Sequence, residues 1–376
     1  MQLEDIVSKR VLIRFDYNVP MEDGAIVNDF RIRQTYATIK ALLRNNNKLL
    51  ITSHFGRPIE GTFDESFSLK PICKYLSDKL EMNIEFIKDI PDEINFSNYD
   101  VAMLENARFN IGEKQCDPKL SQRLASLADI FVFDAFGVSH RKECTTVGVA
   151  DYLDTVAGLN IKHEINTIKK LVESKSRPMT IIISGAKVST KIVLIKKLLG
   201  KCDNMILGGG ILNTFLKAKG YEVGSSLLEE NFIQEAGEIL ESDSTNKILF
   251  PSDLSCQSKK GAANIDVSSI SENDVIYDIG TKSIEMIKDI VKKSSSVFWN
   301  GPLGYIEKKP FNRGTEELAK SIAEHNCFSI VGGGDTLPII ESLNLQDNYD
   351  CLSTGGGSLL SYLEGGSLPI LDKLNL

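Results

Sequence analysis

No C-x-x-C pair and no histidine cluster occurs in this chain. Its seven cysteines (Cys73, Cys116, Cys144, Cys202, Cys256, Cys327, Cys351) are scattered. That excludes a zinc site or disulfide framework and fits the reduced thiols of a cytoplasmic protein. The start, MQLEDIVSKR, carries Glu4 and Asp5 and no apolar core, so it does not read as a signal peptide. No uninterrupted apolar run approaches the roughly 20 residues a membrane helix needs. Positive charge is not in excess: the net charge is −8, which argues against general nucleic-acid binding. Tandem repeats, low-complexity tracts and Ser/Gly-rich linkers are absent as well. The expectation is a soluble cytoplasmic protein with neither membrane nor nucleic acid as partner.

What is present suggests an enzyme of two parts. At 376 residues the chain exceeds the size at which a single core usually stops growing. Apolar content of 42% and charged content of 25% are ordinary for a globular fold. Arginine is unevenly placed: of eleven, nine lie at or before Arg141 and only Arg177 and Arg313 follow. The glycine triplets Gly208–Gly210, Gly332–Gly334 and Gly355–Gly357 all fall in the second half. Arginine offers a rigid fork for phosphate or carboxylate, and glycine runs let backbone approach a polyphosphate. Two readings stay open on these counts alone: two anionic ligands on two halves, or compositional drift with glycine used for turns.

Short apolar runs alternate with amphipathic stretches. The runs are RVLIRF, KLLITS, VAMLEN and DIFVFDAF, then MTIIISG, NMILGGG, KILFPSD, SSVFWNG and CFSIVGGG. Between them, segments such as RIRQTYATIKALLRN and STKIVLIKKLLGK carry apolar residues at helical spacing. This is the pattern of stacked βαβ units with a mostly parallel sheet buried on both faces, hence an α/β fold. Ligands of open α/β sheets bind beyond the carboxyl ends of strands. The residues just past those ends are Asp16, Asn18, His54, Arg57, Arg108, Asp134, Lys187, the Gly208 triplet, Asp253, Asn300 and Asp335. One polar residue there is usually a helix cap; ten in register point to a site. Residues 159–174 are expected to form an inter-domain helix with a hinge.

The stretch SIVGGGDTLPIIESL, Ser329 to Leu343, reads as strand, glycines, then helix. A helix N-terminus attracts anions, yet no lysine follows the glycines as a P-loop requires. Asp335 stands where a phosphate clamp would place a cation.

Taken together the junctions resemble the phosphoglycerate kinase family, in its order and over essentially the whole chain. The strings are VLIRFDYNVP (11–20), FRIRQTYATI (30–39), SHFGRP (53–58), LENARF (104–109), VFDAFGVSHR (132–141), SGAKVSTKI (184–192), ILGGGILNTFLKAKG (206–220), FWNGPLGYIE (298–307), GGGDT (332–336) and STGGGSLLSYLEGGSLP (353–369). The resemblance implies two Rossmann-like domains, each a parallel sheet flanked by helices, joined by a hinge helix. Residues 1–158 would bind 3-phosphoglycerate, residues 159–174 form the hinge and residues 175–359 bind nucleotide, with 360–376 packing back on the first domain. The implied activity is reversible, Mg²⁺-dependent phosphoryl transfer between ATP and the carboxylate of 3-phosphoglycerate in glycolysis, by a monomer that closes about its hinge.

Residue by residue, the resemblance assigns the acid substrate to Asp16, Asn18, Arg31, His54, Arg57, Arg108 and Arg141. It assigns ATP or ADP to Lys187, Lys191, Gly208, Gly209, Asn300, Glu307, Gly333, Gly334, Asp335 and Thr336. Asp335 would hold the metal. Arg31, Lys187, Lys191 and the N–H groups of Gly355 and Gly356 would stabilise the transferring group. Spacing adds that Lys187 and Lys191, four apart near a helix start, fall on one face. No Ser/His/Asp or Cys/His arrangement is needed, because a carboxylate is already a nucleophile at neutral pH.

Four departures from the family pattern stand out: Tyr17 for a common Phe, Ser184 for Gly, Thr190 for a frequent Asp, and Lys142-Glu143-Cys144 after the His140–Arg141 pair. None removes a charge the chemistry needs. Two rival readings stay open: a paralogous acyl-phosphate kinase acting on another small phosphorylated acid, and a silent fold kept for binding. The latter is expected to lose one of Arg31, Lys187, Lys191 or Asp335, and all four are present.

Overall fold

A computed structural model describes residues 1–325 and 327–374. The chain divides into two units, one of Met1–Asn166 with Gly357–Leu376 and the other of Thr167–Gly356. Asn375 and Leu376, the end of the segment expected to pack on the first domain, lie outside the described residues. The helix Leu159–Glu173 carries the chain from the first unit into the second.

The first unit is built on a six-stranded sheet. Its spatial order is Ile84–Ile87, Val101–Leu104, Lys48–Thr52, Arg10–Phe15, Ile130–Asp134 and Thr155–Ala157. Every pairing is parallel. Val11, Ile13, Phe15, Leu49, Ile51, Val101, Met103, Ile130 and Val132 form one core with Ile39, Leu42, Ile72 and Leu76 from helices. The alternate positions Leu12, Leu50 and Phe131 are buried too, which is why these strands read as unbroken apolar runs. The amphipathic stretch over 31–45 lies in two helices, Phe30–Arg33 and Tyr36–Arg44. The C-terminal helix Pro369–Leu374 packs in this unit, against Thr155–Ala157 and the turn Cys144–Gly148. Lys373 Nζ donates to Asp151 at 2.7 Å.

The second unit has its own six-stranded parallel sheet, ordered Ile248–Leu249, Asn204–Gly208, Met179–Ser184, Ser296–Asn300, Phe328–Gly332 and Cys351–Ser353. All five pairings are parallel. Numbered by chain order this is 3-2-1-4-5-6, the order of a dinucleotide-binding fold. A three-stranded antiparallel sheet of Gly261–Asp266, Asp253–Ser258 and Val275–Ile279 adds to the unit. Its strands are too polar on their open face to read as apolar runs, and the sequence did not announce them.

Candidate active site

In the first sheet the chain order reverses between Arg10–Phe15 and Ile130–Asp134, so a crevice opens beyond the carboxyl ends there. Asp16 follows the first of these strands and pairs with Arg31, from the short helix Phe30–Arg33. His54, just past Lys48–Thr52, has Nδ1 3.9 Å from Asp16 Oδ1 and 3.1 Å from Arg14 Nη2. Asn18 N donates to Asp16 Oδ1 at 3.2 Å, and Asn18 Oδ1 accepts from Gly56 N at 2.9 Å. Arg108, held in the turn Ala107–Phe109, donates to Gly56 O at 2.6 Å.

Burial pushes the His54 pKa well below its ordinary range, and the Arg14, Arg108, Arg141 and Arg31 charges lower it further. Four guanidiniums therefore face a neutral imidazole at pH 7. Arg14 can only donate, so His54 Nδ1 accepts from it and Nε2 carries the hydrogen. That Nε2 is buried and has no hydrogen-bond partner, as is true of Arg108 Nε. Buried donors are almost always satisfied. These two donors find no partner among the protein groups around them, and the charges of Arg14, Arg31, Arg108 and Arg141 act on the imidazole.

In the second sheet the order reverses between Met179–Ser184 and Ser296–Asn300. Lys191 Nζ lies at this point, donating to Ser184 O and lying 3.5 Å from Asn300 O. Burial lowers its pKa to about 8, partly offset by the Asp335 carboxylate. Asn300 Nδ2 donates to Gly332 O at 2.8 Å, while Asn300 Oδ1 and Thr336 Oγ1 are buried without partners. A Cβ placed on Gly333 would sit 3.5 Å from Thr336 Oγ1, 3.6 Å from Asn300 Nδ2 and 3.6 Å from Gly301 N. Three polar groups thus converge on a space that any side chain at Gly333 would fill. Gly301, at φ +93°, allows the tight turn; a Cβ there would meet Ser184 O at 2.2 Å. Trp299 Nε1 donates to Gly301 O at 2.7 Å and pins that turn from the core.

Not every expected residue joins these clusters. Arg57 is exposed in the loop after His54, and Glu307 is exposed in the turn after Ser296–Asn300. Gly334 and Asp335 are exposed, Asp335 acting on Lys191 through its charge. Gly208 ends its strand and Gly209 opens the helix Gly209–Ala218 at φ +60°, where a Cβ would lie 2.7 Å from Gly185 O. Gly355 N already donates to Ser353 Oγ at 3.2 Å; Gly356 begins the helix Gly356–Leu363.

The pairing of Lys187 and Lys191 on one helical face is corrected. Residues Val188–Thr190 form a 3-10 turn, and the α-helix starts only at Ile192. Lys191, at φ −133° and ψ 1°, is not helical and turns inward, whereas Lys187 is exposed beside the charge of Glu229.

Sequence reasoning missed two members of the first cluster, Arg14 and Glu113, and marked a third, Glu143, only as part of a departure from the family pattern. Arg14 is fully buried inside a strand of otherwise apolar residues, and that interruption of RVLIRF was the available signal. Glu143 is buried 3.3 Å from Arg108 Nη2 and 3.5 Å from Arg141 Nη1, while its neighbour Lys142 is exposed. Glu113 lies behind them, its carboxyl pushed up to about 7 by burial; nothing local in the sequence marks it. The other departures are absorbed locally. Tyr17 OH meets Thr35 Oγ1 at 3.0 Å, Ser184 Oγ donates to Pro302 O at 2.5 Å, and Thr190 Oγ1 donates to Lys187 O at 2.9 Å.

A guanidinium-ringed cluster on one α/β unit and a polar cradle at the switch point of a second fit a phosphotransferase. Residues 1–366 match the phosphoglycerate kinase family. The chain is 39% identical over 377 residues to a phosphoglycerate kinase of Francisella tularensis subsp. novicida, covering 98% of this chain and 96% of that one. It is 42% identical over 374 residues, with the same coverage, to a phosphoglycerate kinase of Baumannia cicadellinicola. Among solved structures, phosphoglycerate kinase from Coxiella burnetii matches with a TM-score of 0.89 at 37% identity, covering 100% of this chain and 98% of that one. That from Pyrococcus horikoshii OT3 gives 0.86 at 30%, with the same coverage. The chain belongs to the phosphoglycerate kinase family, and it is a kinase.

Proposed function

We propose that the chain catalyses reversible phosphoryl transfer between ATP and the carboxylate of 3-phosphoglycerate, giving ADP and 1,3-bisphosphoglycerate. The observation that carries the acid assignment is the unpartnered His54 Nε2–H among four guanidiniums. Arg31, His54, Arg57, Arg108 and Arg141 would hold the phosphate and carboxylate of the acid through charge-assisted bonds. Asp16 and Asn18 would orient its hydroxyl. The substrate carboxylate oxygen forms the new bond to phosphorus as the bond to the leaving ADP oxygen breaks, so no general base is required.

Lys187, Lys191, Asn300 and Thr336 would receive the nucleotide phosphates, with Gly208 and Gly209 beside the base, Glu307 toward the ribose, and Gly333 and Gly334 leaving room. Among the described residues no three His, Cys, Asp or Glu side chains group as a metal site. One exposed carboxylate, Asp335, beside unpartnered Thr336 Oγ1 fits Mg²⁺, which is usually held by substrate phosphates and one or two carboxylates. When bound, Mg²⁺ would neutralise phosphate charge. Arg31, Lys191 and the Gly356 N–H would stabilise charge on the transferring group. Bending about the helix Leu159–Glu173 is the step assigned to bringing the bound substrates in line. Cytoplasmic location and a monomeric state complete the proposal. Among the described residues no helix is long and apolar enough to cross a membrane.

The test is a coupled assay of ADP formation from MgATP with 3-phosphoglycerate and with other small phosphorylated acids. Turnover with 3-phosphoglycerate above all others is expected. Arg31→Ala and Asp335→Ala should each lose about 10²–10³-fold in kcat, the effect of removing one positioned stabilising group. No ADP formation, or near-normal turnover of both variants, would contradict the assignment.

A further inference from the structure

Glu143 is an acidic residue set inside a site built for anions. Its Oε1 lies 3.3 Å from Arg108 Nη2 and 3.5 Å from Arg141 Nη1, and its Oε2 is buried with no hydrogen-bond partner. The backbone locks it in place. Glu143 N donates to Thr146 Oγ1 at 2.9 Å, and its carbonyl accepts from the N–H groups of Thr146, Val147 and Gly148 at 3.1, 3.1 and 3.2 Å.

Two effects compete at such a residue: it can place the guanidiniums, or it can repel their ligand. Both contacts are longer than the 2.7–2.9 Å of a good charge-assisted bond, so its grip is loose. Arg108 has a shorter anchor of its own in Gly56 O at 2.6 Å. The negative charge, by contrast, acts from a buried position where solvent and salt screen poorly. Repulsion wins.

We propose that Glu143 is a built-in counter-charge that weakens the anion site, setting its affinity and charge selectivity for the phosphorylated acid and hastening release. The inference rests on the substrate assignment above, and the experiment separates the two. Binding of 3-phosphoglycerate, of sulfate and of ADP is measured by calorimetry for the wild type, Glu143→Gln, Glu143→Ala and Glu143→Asp. Neutralisation should tighten 3-phosphoglycerate by about tenfold, the low end of what a charge a few ångströms away does to an ionic equilibrium. Sulfate, with less charge, should gain less. Glu143→Asp keeps the charge and should stay near wild type, and ADP affinity should be equal in all four.

In steady state, Glu143→Gln should lower KM for 3-phosphoglycerate without raising kcat. The alanine variant carries the same charge change if the glutamine variant does not fold. Unchanged or weaker anion binding on neutralisation overturns the proposal, as does an equal gain in the aspartate variant. If the wild type binds sulfate but not 3-phosphoglycerate, the substrate assignment falls and the sulfate series alone decides Glu143.

Discussion

A lysine ammonium among backbone carbonyls, with one exposed carboxylate as counter-charge, is poised to lose its proton more easily than a lysine in water. Lys191 is such a residue, at about 8. Its folded pKa lies below the ordinary 10.5, so in the absence of nucleotide the fold gains stability as pH rises from about 8 toward 10.5. Nucleotide phosphates need the charged form, so their binding runs the other way. ADP affinity is expected to weaken steadily as pH rises from 7 through 9, and Lys191→Met should be weak at every pH with no such slope. A flat wild-type profile by calorimetry would contradict the role. At this scale the sequence was informative wherever a charged side chain followed a strand, as with Asp16, His54 and Arg108. It was silent on Arg14 and marked Glu143 only as a departure from the family pattern, because the part each plays depends on which side chains turn inward, something spacing does not encode.

The strand Ile130–Asp134 ends in a carboxylate that organises the start of another element. Asp134 Oδ1 accepts from Ile161 N at 2.8 Å and Oδ2 from Thr38 Oγ1 at 2.6 Å, while Thr38 Oγ1 accepts from Leu159 N at 3.1 Å. Asp134 thus caps the helix Leu159–Glu173 from a distant strand, and ties it to the helix Tyr36–Arg44 that follows Arg31. Gly158 has no room for a side chain, since a Cβ would fall 2.2 Å from Asp134 Cγ. Burial raises the Asp134 carboxyl from 3.8 to about 6, against the hydrogen bonds that lower it. Between those values the folded chain binds a proton the unfolded chain has lost, so stability from this group falls as pH rises from about 4 to about 6. Compared with Asp134→Asn, the wild type should lose stability across that window in urea denaturation. Asp134→Ala should cost about 0.5–2 kcal/mol at neutral pH, the usual weight of a lost cap. No difference between the wild type and the asparagine variant across the window would refute the linkage.

Elements buried on both faces were legible, because unbroken apolar runs leave little choice. The short strands Ile84–Ile87, Thr155–Ala157 and Cys351–Ser353 were not, since three or four residues pairing on one side carry little pattern. The lysine face failed for a related reason: one 3-10 turn shifts the helix start by a few residues, and boundaries are the weakest part of any periodicity argument.

For the whole molecule, each unit carries a parallel sheet with its own order reversal, and each reversal gathers its own set of unpartnered polar groups. The arginine-rich half and the glycine-rich half of the sequence map onto these two sets, although composition alone left open whether they mark two ligands or compositional drift. The return of the C-terminal helix to the first unit could not be read from composition, because that connection is a matter of topology, known beforehand only through family resemblance. The central claim is that the acid is bound by the first unit and the nucleotide by the second. Calorimetric titration of 3-phosphoglycerate and of ADP into the wild type, Arg108→Ala and Lys191→Ala tests it most directly. Arg108→Ala should lose 3-phosphoglycerate binding by at least about tenfold, as when one partner of a charge-assisted contact is removed, and keep that of ADP. Lys191→Ala should show the reverse. Equal loss of both ligands in either variant, or 3-phosphoglycerate binding that ignores Arg108, would contradict the account.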